Sequence, residues 1–176
     1  MHLAGDRFME DLVMKALVES IAHQLIARQW MLATAESCTG GLIAAQCTDL
    51  SGSSLWFDRG FVSYSNDAKS QLLGVPSELI ESNGAVSEQV ALAMALGAVY
   101  RSKARASVAV TGVAGPTGGS PDKPVGTVWI AWCIGGEASA QLYFFSGDRQ
   151  AIRSQTVEAA LGGLSERLLL SARTLE

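Results

Sequence analysis

The run Trp30-Met31-Leu32-Ala33-Thr34-Ala35-Glu36-Ser37-Cys38-Thr39-Gly40-Gly41 decides how the chain is read. Trp30 to Ala35 is apolar and short, the pattern of a buried strand. A small polar cluster follows, and two glycines open a helix predicted from about Gly40 to Thr48. A strand that turns directly into a helix exposes side chains at its carboxyl end. It also aims free backbone N–H groups at the same point. Ser37 stands at that junction with two readings. It is a cap for the helix, as Ser and Thr commonly are, or an exposed nucleophile with an oxyanion site beside it.

Outward from this junction, helices and strands alternate. Upstream, Leu12, Val13, Ala16, Leu17, Ser20, Ile21, Leu25 and Ile26 recur at helical spacing and predict a helix over Asp6–Gln29. Downstream, Phe57 to Tyr64 reads as a strand, Asn66 to Leu73 as a short helix, and Ser87 as the N-cap of a helix reaching about Lys103. Ala106 to Thr111 is a further apolar strand. Val125 to Ile134 and Ala138 to Phe145 read as a hairpin about Gly135-Gly136, and Asp148 to about Ala172 as the closing helix. The pattern predicts a layered α/β domain over residues 1–176 with a mixed sheet.

Composition narrows the function classes. Nearly half of the 176 residues are apolar, enough for a sizeable core, and the net charge of −4 argues against a broad nucleic-acid surface. Three cysteines, Cys38, Cys47 and Cys133, form no CxxC pair, and the two histidines, His2 and His23, lie near the N-terminus. That is poor material for a metal site or a disulfide framework and points to a reducing cytoplasm. No signal-like or membrane-length apolar run is present, so neither secretion nor membrane insertion is expected. The apolar content, with Trp56 and Phe57 read as exposed aromatics, points to a homo-oligomer.

If Ser37 is a nucleophile it needs a base. His23 lies inside a helix far from any motif, which leaves lysine, whose pKa burial lowers. Lys69 follows the strand that ends at Tyr64, and both reach one cleft if that strand is parallel to the first. The ordinary fate of a lysine is a solvated helix face. Cys38 is a neighbouring rival nucleophile. The glycine-rich loop Gly112-Val113-Ala114-Gly115-Pro116-Thr117-Gly118-Gly119 after Thr111 is neither a Walker A loop nor GxGxxG, and it reads as an anion nest or a surface loop. Arg149 and Arg153, four apart at a helix start, oppose the helix dipole. Either they hold a phosphate or Asp148 caps the helix and pairs with one of them.

Taken together these blocks resemble the CinA C-terminal domain family. The match is carried by Ala35-Glu36-Ser37-Cys38-Thr39-Gly40-Gly41 and by Arg59-Gly60-Phe61-Val62-Ser63-Tyr64-Ser65-Asn66-Asp67-Ala68-Lys69. Thr111-Gly112-Val113-Ala114-Gly115-Pro116 with Lys123-Pro124-Val125-Gly126-Thr127, Gly147-Asp148-Arg149, and more weakly Gly84-Ala85-Val86-Ser87 complete it. The resemblance implies a three-layer α/β/α sandwich. It also implies hydrolysis of the carboxamide of nicotinamide mononucleotide, a small nucleotide, with no metal or other cofactor. The family's serine falls on Ser37, its lysine on Lys69, its tyrosine on Tyr64 and its loop threonine on Thr111. Glu36, Cys38, Thr39, Gly40, Gly41, Thr111, Gly112, Gly115, Arg149 and Arg153 are then expected around the substrate. Asp58-Arg59 and Asp67 depart from the common family pattern without removing a catalytic group. Many members carry a larger N-terminal domain not found in these residues, so the stand-alone form is expected. A nucleotide-binding module without catalysis, and a hydrolase of another pyridine amide, stay open.

Overall fold

The computed structural model describes residues 3–173, with side chains from 8 to 172. His2 lies outside the described residues. In chain order the elements are α1 (Leu3–Ala27), β1 (Leu32–Glu36), α2 (Leu42–Thr48), a 3-10 turn (Ser53–Leu55), β2 (Phe57–Val62), α3 (Asn66–Leu73), α4 (Ser77–Asn83), α5 (Glu88–Tyr100), β3 (Ala106–Gly112), β4 (Thr127–Ile134), β5 (Glu137–Phe144) and α6 (Arg149–Arg173).

The strands form one sheet in the order β2-β1-β3-β4-β5. β1 is parallel to β2 and β3, while β4 is antiparallel to β3 and β5. The connections explain the mixture. Helical crossovers link β1 to β2 and β2 to β3, which keeps those strands parallel. Gly135 and Gly136, at φ 62° and 102°, close a tight hairpin between β4 and β5.

Side chains alternate across the sheet. Leu32, Val108, Val110, Ile130 and Trp132 join a core with Ile21 and Leu25 of α1, Ile43 and Cys47 of α2, and Leu161 and Leu164 of α6. Ala33, Ala35, Ala109 and Ala131 face the other way, against Ala91, Met94, Ala95 and Ala98 of α5. This is the expected three-layer sandwich. The small residues of the second face let α5 lie close to the sheet. Gly97 brings it equally close to α3, since a Cβ there would run into the Leu73 carbonyl oxygen. That approach fixes α3, which carries Lys69.

Several boundaries differ from the sequence reading, each for a local reason. The first helix stops at Ala27, and Gln29 adopts φ 55°. α4 is too short, at 7 residues, for its periodicity to be read. β4 starts at Thr127 because Gly126 turns with φ 95° beside the Phe145 carbonyl. Trp56 is a correction: it is 1% exposed and belongs to the core, while Phe57 is half-buried. The large exposed apolar side chains instead include Phe8, Met9, Leu12 and Val13 of α1. His23 is exposed on α1. Among the described residues no helix is long and apolar enough to cross a membrane.

Candidate active site

The carboxyl end of β1 carries the site, and Glu36 explains its local geometry. Helix α2 begins after Gly40 and Gly41, both in the left-handed region at φ 60° and 103°. Neither has a side chain to cap it. The fully buried Glu36 does so from the strand: one carboxylate oxygen accepts from Ile43 N–H at 2.9 Å and the other from Ala44 N–H at 2.9 Å. The hydroxyls of Thr39 (2.7 Å) and Thr34 (3.2 Å) complete the set. Four donors meet an acceptor-only group. Glu36 and Thr39, expected beside a substrate, are therefore engaged with each other beneath the turn. Ser37 is not the cap.

Relieved of that task, Ser37 points from the end of β1 toward α3. Its Oγ lies 3.2 Å from Lys69 Nζ. Lys69 is 1% exposed, contrary to the usual habit of lysine, and Nζ also donates to the carbonyls of Ser63 (3.1 Å) and Tyr64 (3.3 Å). Among the described residues no carboxylate pairs with it. Burial pushes its pKa below 10.5, partly opposed by the Cys38 sulfur. A neutral amine has two N–H bonds and one lone pair. As placed, Nζ donates to all three oxygens; a neutral amine that kept its two hydrogens on the carbonyls would turn its lone pair to the Ser37 hydroxyl.

Cys38 behaves differently. Burial raises its thiol to about 11, so it is protonated near neutral pH and ill-suited to attack. Among the described residues no group of His, Cys, Asp and Glu side chains could hold a metal ion.

Ser37, Cys38, Tyr64, Lys69, Thr111, Gly112 and Arg149 all line one cleft of about 200 Å³. Thr111 sits at the end of β3, 1% exposed, and donates to the Ala85 carbonyl at 2.8 Å. It thereby ties down the loop ahead of α5. Tyr64 shares the cleft with Lys69, as a β2 parallel to β1 requires. Its carbonyl meets Lys69, but its hydroxyl accepts from Arg149 at 3.1 Å, and the side chain is 61% exposed at the rim. Arg149 also donates to the Gly115 carbonyl at 2.8 Å, so that glycine presents an oxygen, not an N–H, to the guanidinium. Asp148 caps α6 through Ala151 N–H at 2.8 Å, and among the described residues it forms no ion pair with an arginine. Arg153 lies away from the cleft lining and donates to the carbonyls of Cys38 (3.0 Å) and Thr39 (3.1 Å). Gly40 and Gly41 shape the turn and do not line the cleft.

Asn66, Ala85 and Val86 also line the cleft; they stand in the family-like blocks but were not among the residues expected around the substrate. The available signal was Ser87, whose Oγ accepts from Val90 N–H at 3.3 Å and so caps α5, placing the preceding residues at a helix start.

A mixed sheet between two helical layers, with its polar groups gathered where parallel strands end, defines a layered α/β protein whose site lies at the strand carboxyl ends. Within that class the chain belongs to the CinA C-terminal domain family, whose model matches residues 14–168. It is 48% identical over 162 residues to nicotinamide-nucleotide amidohydrolase PncC of Escherichia coli K12, covering 92% of this chain and 98% of that one. The protein of the same name from Pseudomonas putida is 57% identical over 131 residues, 74% of this chain and 82% of that one. Among solved structures, the competence/damage inducible protein CihA of Agrobacterium tumefaciens superposes with a TM-score of 0.83 at 48% identity, covering 86% and 93% of the two chains.

Proposed function

We propose that the chain hydrolyses the carboxamide of nicotinamide mononucleotide, with Ser37 as nucleophile and Lys69 as base. The names of the relatives support the substrate. The observation that carries the chemistry is the buried Lys69 Nζ, 3.2 Å from Ser37 Oγ, with two carbonyls to hold its hydrogens.

Lys69 takes the Ser37 proton as Oγ attacks the amide carbon. Backbone N–H groups of the turn after Ser37 stabilise the oxyanion. The Lys69 ammonium returns its proton to the departing nitrogen, and ammonia leaves an ester on Ser37. Lys69 then deprotonates water, which attacks the ester and releases nicotinic acid mononucleotide, and Ser37 recovers its proton. Arg149, whose guanidinium can pair with phosphate oxygens two at a time, anchors the 5′-phosphate at the cleft mouth once the nucleotide replaces its present partners. Tyr64 stands beside it at the rim.

The test is ammonia release from nicotinamide mononucleotide, compared with free nicotinamide and the dinucleotide. Turnover of the mononucleotide that disappears in Ser37→Ala, with the fold intact, is expected. Substantial turnover in that variant rejects the nucleophile, and binding without ammonia leaves a nucleotide-binding module.

A further inference from the structure

Sequence spacing treats Arg149 and Arg153 as a pair on one face of a helix. The structure divides them. Arg149 is exposed and lines the cleft. Arg153 is half-buried, and its guanidinium is engaged one turn further along, on the carbonyls of Cys38 and Thr39.

Resting on the amidase reading above, we propose that Arg153 is a positioning residue for the nucleophile turn and not a ligand of the substrate's phosphate. A trans peptide is planar, with its C=O and N–H pointing opposite ways. Drawing the Cys38 and Thr39 carbonyls toward α6 turns the N–H groups of Thr39 and Gly40 away from α6. The Gly40 N–H closes on the Ser37 carbonyl at 3.1 Å. Arg153 thus sets the two peptide planes that follow the nucleophile. Glu36 grips the same segment from the strand side through the Thr39 hydroxyl at 2.7 Å.

The turn is therefore clamped between β1 and α6, and Ser37 Oγ is held against Lys69. The planar fork of a guanidinium suits two successive carbonyls, whereas an ammonium is a single point charge.

The experiment compares steady-state kinetics of wild type, Arg153→Ala, Arg153→Lys and Arg149→Ala on nicotinamide mononucleotide and on nicotinamide riboside, which has the same amide without the phosphate. A displaced turn costs about 100-fold in rate, so Arg153→Ala is expected to lower kcat by about that factor on both substrates, with KM within about twofold. Arg153→Lys recovers only part of the loss. Arg149→Ala raises KM for the nucleotide by a larger factor than for the riboside. In the Ser37→Ala background, adding Arg153→Ala leaves calorimetric binding of the nucleotide intact.

A selective rise in nucleotide KM with kcat preserved, lost calorimetric binding, or kcat within about twofold of wild type on both substrates overturns the proposal. If Arg153→Ala does not fold, Arg153→Lys and Arg153→Gln read the same split. Wild type that releases no ammonia from the nucleotide refutes the amidase reading itself. Active wild type with an unaffected Arg153→Ala refutes only the role of Arg153.

Discussion

Replacing Glu36 with Gln keeps its shape and removes one acceptor. In the native structure each carboxylate oxygen serves one backbone N–H and one hydroxyl: Ile43 with Thr39, and Ala44 with Thr34. The amide group puts an NH2 at one of these places whichever way it is turned. A threonine hydroxyl can rotate and accept from that NH2, but a helix N–H cannot. One buried donor is left facing another, at about 1–3 kcal/mol. The negative charge at the start of α2 is lost as well, a further ~1 kcal/mol. Glu36→Gln is therefore expected to destabilise by about 2–4 kcal/mol, which at ~2–4 °C per kcal/mol for a chain of this size lowers Tm by about 5–15 °C. Urea titration and thermal melts at neutral pH measure both. A variant within about 0.5 kcal/mol of wild type, the level of an ordinary surface substitution, would refute the account of Glu36 as the cap.

The pKa of Lys69 is depressed by burial, and in the proposed mechanism only its neutral form can accept the Ser37 proton. The kcat/KM profile should therefore fall as pH drops through a value below 10.5, and Lys69→Arg should be inactive at every pH because a guanidinium does not deprotonate. The same shift has a stability sign: the unfolded chain binds the Lys69 proton more tightly, so wild type should lose stability relative to Lys69→Met as pH falls from 10.5 toward the folded pKa, as paired melts would show. Cys38→Ser should keep ammonia release, and loss of all turnover would reopen the thiol as nucleophile. Gly97→Ala drives a methyl into the Leu73 carbonyl and should cost about 1–3 kcal/mol in urea titration while lowering kcat through displaced α3; an unchanged melt would refute the close approach.

The β1–α2 junction was legible because its signals are local: an apolar run, small polar residues, then glycines. The hairpin at Gly135-Gly136 and the cap at Ser87 were legible for the same reason. α4 escaped because one short helix after Pro76 shows no period. What the site does with its residues was less legible, because it depends on contacts far apart in the chain. Nothing around Lys69 in sequence announces burial, which α3 acquires by packing on α5. Ser37 and Glu36 are neighbours, and only the alternation of β1 tells which side chain enters the cleft and which caps the helix. The two arginines look equivalent on a helical wheel. They separate only when α6 is laid against a turn 115 residues earlier.

That last contact bears on how the protein is made. Ser37 and Lys69 are 32 positions apart, but Tyr64 and Arg149 are 85 apart, and Arg153 reaches back 114 and 115 positions to the turn. Closing separations of that length is a slow stage of folding. A chain that has emerged as far as β5 already contains its serine and lysine, yet lacks both the clamp on the turn and the bridge across the cleft mouth. Docking of the closing helix is thus the step that completes the cleft, and an unfinished chain carries Ser37 on a turn not yet held from that side.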